Sequence, residues 1–293
     1  MMQNSSNNED TVSSKGLKAG EEITIESGEI QVTSTDDSIH SNGIIIINNG
    51  NFSLSSEDDG IHADTNIIIN NGNINISKSY EGIESNYIEI NGGTIDLVAS
   101  DDGINISGGS DSSSMGNRPG QNNFSNVEDN DKKLVVNGGD IVVNASGDGL
   151  DSNGSIYIYG GNILIKGPTS NGDAPLDFEG EMIIDGGNLI AYGSSGMFES
   201  PSSNSKQNIL VFNTSGSNGN KLSLKDSSGN EIVSFESEKS YQLVVISNNS
   251  IKQGETYSLY INDSQKTSLQ VNSTVTSNSR NSNNGGGMKG NRR

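Results

Sequence analysis

Cysteine is absent from the 293 residues, so the chain has no disulfide framework, no thiol nucleophile and no cysteine-ligated zinc. Tryptophan is absent too and aromatics make up only 5%, which removes a flat indole platform for crystalline polysaccharide. Two histidines occur, His40 and His62, which leaves little material for His-rich metal centres or Ser-His-Asp chemistry. Basic residues are scarce: 17 Lys and Arg stand against 37 Asp and Glu, a formal charge of -20. DNA, RNA and anionic lipid require a basic surface, so no nucleic acid is expected as a partner. No apolar run reaches the ~18 residues of a spanning helix, and no membrane insertion is expected. The opening MMQNSSNNED is neither a charged-then-apolar export signal nor a core-forming segment.

What the chain has in abundance is glycine, asparagine and isoleucine in a repeat. IIIINNGNFSL, IIINNGNINI, YIEINGGTIDL and IYIYGGNILI share one grammar: an alternating apolar run, an Asn/Gly turn, then a second run. Turn glycines Gly28, Gly50, Gly72 and Gly93 are 22, 22 and 21 residues apart; Gly93 to Gly139 spans 46, about two periods. This predicts an all-β fold, a parallel β-helix of about seven coils with two or three strands each. Ile, Leu and Val alternate inward while Asn, Ser, Thr and Glu face out. No coil can bury its own apolar face, so the core exists only through stacking. A helical reading fails because glycine interrupts every ten residues or so and no 3.6 periodicity is sustained.

The expected organisation is a disordered start at 1–14, the β-helix over 15–200, and a loop over 107–133 inserted into one coil. A small antiparallel β unit over 201–271 would close the C-terminal end and cover its edge. Residues 272–293 lack apolar patterning and are expected to be disordered.

Acids recur at one place in the repeat, in STDDSIHSN, SSEDDGIHAD, SYEGIESN, ASDDGINIS and SGDGLDSN. In register, Asp37, Asp59, Glu81, Asp102 and Asp148 form one column, with Asp58 and Asp101 beside it. Two residues later Ile39, Ile61, Ile83, Ile104 and Leu150 turn inward. The next outward column reads His40, His62, Glu84, Asn105, Asp151 and Asp177, and a third holds Asn42, Asp64, Asn86, Ser107, Asn153 and Glu179. Carboxylates stacked ~4.8 Å apart repel by roughly 1 kcal/mol per pair in water and more at lower dielectric. A hard divalent cation with many oxygen ligands offsets that cost, so Ca2+ is the expected cofactor, ahead of magnesium and zinc. The competing reading is that Asp-Asp-Gly is simply good turn chemistry. The histidines are expected at the surface beside the acids. A further column, Asn48, Asn70, Asn91 and Asn137, is expected to form a structural amide ladder.

SSKGLKAGEEITIESGEI, SGDGLDSNGSIYIYGGNILIKGPTSNGDAPLDFEGEMIIDGGNLIAYGSSGM and SYQLVVISNNSIKQGETYSLY resemble the bacterial carbohydrate-binding β-helix family known for binding polygalacturonate. The resemblance covers roughly residues 12 to 262. It implies a right-handed parallel β-helix similar to that of family 9 polysaccharide lyases. It also implies calcium on the acidic columns, an extracellular or cell-surface location, and acidic plant polysaccharide as partner. Family members usually begin with further N-terminal sequence; without it the first coil would have an uncovered edge.

Three functions remain open. In the first, a non-catalytic binder, calcium bridges protein and uronate carboxylates. Arg118, Lys132 and Lys133 add direct contacts, and Tyr157, Tyr159 or Tyr192 stack on sugar rings. In the second, a pectate-lyase-type enzyme, Lys78 beside Glu81 would be the base, with Lys166 second. In the third, a surface adhesin, calcium is only a staple.

Overall fold

The computed structural model describes residues 13–107 and 132–278. Arg118 and most of the expected insertion therefore lie outside the described residues, as do both chain ends. Among the described residues there is no helix, and the strands wind into seven coils. The first coil holds β1 (Leu17–Ala19), β2 (Glu22–Ile25) and β3 (Glu29–Thr33); the second holds β4 (Ile39–Ser41), β5 (Ile44–Ile47) and β6 (Asn51–Ser55). In the third and fourth coils the first two strands fuse, giving β7 (Ile61–Ile69) with β8 (Asn73–Lys78) and β9 (Ile83–Ile90) with β10 (Thr94–Ala99). The fifth coil is β11 (Ile104–Ile106), β12 (Lys133–Val136) and β13 (Asp140–Ala145). The sixth is β14 (Leu150–Ser152), β15 (Ser155–Ile158) and β16 (Asn162–Lys166), and the seventh is β17 (Leu176–Phe178), β18 (Met182–Ile184) and β19 (Asn188–Gly193).

Successive coils pair in parallel, stacking three faces. Ile39, Ile61, Ile83, Ile104, Leu150 and Leu176 form one buried vertical file. Ile45, Ile67, Ile88, Leu134, Ile156 and Met182 form the second, and Ile74, Ile95, Ile141, Ile163 and Leu189 run through the third. Register is tightly specified because a one-residue slip would exchange core and solvent faces. The Asn column is an amide ladder: Asn70 Nδ2 donates to Asn48 Oδ1 at 2.7 Å, Asn91 to Asn70 at 2.9 Å and Asn137 to Asn91 at 2.8 Å.

The adjoining turn needs glycine for a reason of backbone geometry. Gly93 has φ +89, and an added Cβ would sit 2.5 Å from the carbonyl oxygen of Gly72 in the coil below. Gly93→Ala is therefore expected to destabilise the fold by about 1–3 kcal/mol, read as a lower urea midpoint at unchanged slope.

Beyond the seventh coil the chain does not simply seal the end. It continues as β20 (Ile209–Gly216), β21 (Lys221–Asp226), β22 (Glu231–Glu236), β23 (Tyr241–Ser247), β24 (Thr256–Ile261), β25 (Ser264–Gln270) and β26 (Val275–Ser277). β23 and β20 extend the third face antiparallel from β19. Their inward residues Ile209, Val211, Leu243 and Val245 join the solenoid core. β22, β21, β24 and β25 form a separate antiparallel sheet whose Leu222, Leu224 and Leu259 pack against outward-facing residues of the extended third face, including Leu164, Ile190 and Tyr192. That second core explains why these outward positions depart from the polar rule.

Two expectations need correction. β26 pairs with β20 inside the stretch from 272 onward that composition marked as unstructured; one partner strand suffices to order three residues. Tyr192 is fully buried in the second core, stacked on Phe235, so it cannot meet a sugar ring.

Candidate functional site

The acidic columns are vertical files along the first face. The backbone register sets His40 on His62, His62 on Glu84, Glu84 on Asn105, Asn105 on Asp151 and Asp151 on Asp177. In the neighbouring column each short acid also bonds the backbone of the next coil. Asp37 Oδ1 accepts from the Asp59 N–H at 3.1 Å, Asp59 Oδ1 from Glu81 at 3.2 Å, Asp102 Oδ1 from Asp148 at 2.6 Å and Asp148 Oδ1 from Ala174 at 2.5 Å. Glu81, one methylene longer, instead accepts from Asn105 Nδ2 at 2.8 Å. Part of the repeat thus has a metal-free cause, since the acids satisfy turn N–H groups.

The file is neutralised unevenly. At the N-terminal end Lys15 Nζ lies 2.8 Å from Asp36 and 2.5 Å from Asp37, and His40 Nδ1 lies 2.7 Å from Asp37. Burial alone would raise the Asp37 carboxyl; hydrogen bonds from His40 and Lys15 overcome this and hold it low. Asp36, Asp37 and Asp58 cluster around that end. One coil on, His62 Nδ1 lies 2.7 Å from Glu84 and 3.2 Å from Asp59, while Nε2 lies 3.3 Å from Asp64. Burial opposes an imidazolium, yet Asp59, Asp64 and Glu84 hold His62 well above its usual range. Burial likewise lifts Glu84, but His62 brings it below the ordinary value. The two rings stack at 5.0 Å and are buried, contrary to the expected surface placement: facing outward on a short strand, they are covered by the acids they pair with.

Toward the C-terminal end no base arrives among the described residues. Burial, then Asp151 and Asp101, push Asp102 up to about 8. Burial and the neighbouring Asp151 and Asp177 push Asp148 to about 7, and burial with Asp177 pushes Asp151 to about 7. Asp177 is raised by burial and Asp173. Asp148, Asp151 and Asp177 bring carboxylate oxygens within 4.8 Å of one another. Burial and the charges of Glu84, Asp59 and Asp102 also raise Glu81. Among the described residues Asn105 Oδ1 and Asn86 Oδ1 are buried without a donor. Asn105 stands in register between Glu84 and Asp151, so its orphaned carbonyl belongs to this uncompensated stretch. Oxygen-only donors in irregular array suit calcium. Asp101 is engaged by Tyr80, whose hydroxyl is held protonated by that bond.

Next to this edge, on the second face, lies a cleft of 540 Å³. Tyr87, Lys132, Lys133, Tyr157, Tyr159 and Glu179 line it. β9, β12 and β15 position them: Tyr87, Lys133 and Ser155 share one register level, and Tyr157 stands one outward position along. Outward placement is forced because Ile88, Leu134 and Ile156 take the inward positions. Tyr157 and Tyr159 stack at 6.3 Å with planes 9° apart, and Tyr159 is 49% exposed. Lys133 Nζ sits 5.4 Å from the centre of the Tyr87 ring. Asn153 and Glu179 belong to both the cleft and the third outward line of the acidic edge, so the two features are continuous. Tyr87 is the lining residue that periodicity missed; its position opposite Lys133 across the insertion was the available signal.

The lysines proposed as bases lie elsewhere. Lys78 is exposed and its ammonium pairs with Glu57 at 2.5 Å rather than with Glu81. Lys166 pairs with Glu238 at 2.7 Å.

A family model described as carbohydrate-binding domain-containing protein matches residues 1–60 and 55–103, little more than a third of the chain. The matched stretch takes in the first four coils and Tyr87, and stops before the cleft lysines. No curated protein and no solved structure matches the chain significantly. The family match supports a carbohydrate-binding role.

Proposed function

We propose that this chain is a non-catalytic, calcium-dependent binder of acidic polysaccharide of the polygalacturonate type, acting outside the cell or at its surface. The observation that carries the reading is the convergence of two lysines and two near-parallel tyrosines, one half-buried and one exposed, on one cleft. Lys132 and Lys133 would take uronate carboxylates in charge-assisted hydrogen bonds, and the Tyr157 and Tyr159 faces would carry sugar rings. Concave, partly aromatic sites with a few fixed polar groups are the usual form of a ligand site. Asp102, Asn105, Asp148, Asp151 and Asp177 would hold calcium, which relieves the unneutralised half of the file beside the cleft and adds attraction for an anionic glycan.

Isothermal titration with polygalacturonate tests this, run with calcium and with chelator, and with a neutral glucan as control. Saturable binding of the uronate polymer alone is the expected result, weakened by chelation. Equal binding of the neutral polymer, or none of either, would overturn it. A second reading, calcium as a staple only, is favoured by the carboxylates already bonded to turn N–H groups. It predicts a melting temperature that depends on calcium and no affinity for the glycan.

A further inference from the structure

We propose that Asp59, His62 and Glu84 form a buried site for a zinc-class divalent cation, separate from the oxygen-only stretch assigned to calcium. The three ligand atoms lie within 4.8 Å of one another, and His62 is 1% and Asp59 6% exposed. Both carboxylates converge on one ring nitrogen, Nδ1, at 3.2 and 2.7 Å. A single N–H proton can satisfy only one of them. His40 gives no relief, because its Nδ1 is committed to Asp37 at 2.7 Å. One imidazole therefore serves three acids, counting Asp64 at Nε2.

A divalent ion resolves this arrangement with charge balance. It enters as the Nδ1 proton leaves, and its two charges are balanced by the two carboxylates, with one neutral imidazole nitrogen as third ligand. Asp64 at Nε2 then supplies the outer hydrogen bond that fixes tautomer and ring orientation in metal-bound histidines. Imidazole with carboxylate suits zinc and its neighbours, whereas calcium takes oxygen. The small number of histidines disfavoured zinc on composition; one buried ring between two acids from consecutive coils is sufficient.

The test uses the full chain, stripped with chelator and then saturated with calcium, so that the carbohydrate and calcium readings are held constant. Zinc is titrated calorimetrically, and the His62 ring nitrogens are followed by NMR. One equivalent of zinc is expected, with a large shift at the Nδ1 resonance. His62→Gln and Glu84→Gln should each weaken that equivalent at least about tenfold, while His40→Gln leaves it within about twofold. Should His62→Gln fail to fold, the wild-type ring spectrum still decides. An unchanged Nδ1 signal, equal zinc affinity in folded His62→Gln, or full displacement of zinc by calcium would overturn the proposal.

Discussion

Replacing Lys132 and Lys133 together by methionine is expected to weaken polygalacturonate binding by about 100-fold, with the fold intact. Each lysine would make a charge-assisted hydrogen bond to a uronate carboxylate, and bonds to charged groups contribute about 1.5–3 kcal/mol apiece. Losing two of them in a polar, half-open cleft therefore amounts to at least about 3 kcal/mol, or two decades in Kd. Methionine keeps the stem length and unbranched shape, so the Lys133 contact over Tyr87 loses its cation but not its packing. Tyr159→Ala should cost less, about tenfold, because it removes one stacking face and leaves Tyr157. Lys78→Met, which breaks only the exposed pair with Glu57, serves as control and should change nothing. The quantities to compare are calorimetric Kd values at saturating calcium. Undiminished affinity in the double variant would move recognition away from the cleft and onto the acidic edge alone.

Much of this molecule is written in period and register. Turn glycines 22 residues apart marked where each coil closes, and register assigned Ile39, Ile61 and Ile83 to the core. The same periodicity brought Asp177 above Asp151 and Asn105 above Glu84, because in a stacked helix a sequence offset is a spatial contact. What periodicity cannot supply is how neighbouring side chains settle their charges. Lys15, at the first residue of the expected β-helix, carries no pairing signal of its own, yet its ammonium is the counter-charge of Asp36 and Asp37. His40 and His62 read as surface residues because their column faces outward; burial came from the acids folding over them. Tyr192 fits the outward pattern too, but a second sheet from residues 221–270 covers it. The hairpin closing β24 onto β25 also lacked its usual Asn-Gly signal, since Asn262 and Asp263 both adopt positive φ there. Lys15 and His62 meet their acids one period away, where register sets the neighbours but not which side chains pair; Tyr192 and the hairpin belong to contacts and turns outside the repeat.

The uneven neutralisation of the acidic file leads to a second large effect. In chelator, stability should fall steadily as pH rises from about 4 to 8, and calcium should abolish most of that fall. Asp102 at about 8 and Asp148 and Asp151 at about 7 all sit above their ordinary value of 3.8. A carboxyl raised in the folded state binds its proton more tightly there than in the unfolded chain. Its contribution is therefore complete below the unfolded pKa and is lost as pH climbs through the folded one. His62, raised above 6.5, acts in the same sense. Asp37 and Glu84 are lowered, so their contributions fail only on the acid side, below about 4. A tenfold difference in proton affinity between the folded and unfolded chain corresponds to about 1.4 kcal/mol. Even with the part-exposed Asp148 discounted for solvent screening, several kcal/mol are at stake, or a Tm drop of roughly 10 °C. Calcium would hold these oxygens ionised at neutral pH and convert repulsion into coordination, so its stabilising effect should be largest near pH 8 and vanish near pH 4. Asp151→Asn removes one charge at the centre of the uncompensated stretch. In chelator it should raise Tm at pH 8, and in calcium it should lower it. Scanning calorimetry across that range, on both proteins in both states, checks every sign. A metal-free Tm that is flat or rising from pH 5 to 8 would show that the files carry no such strain.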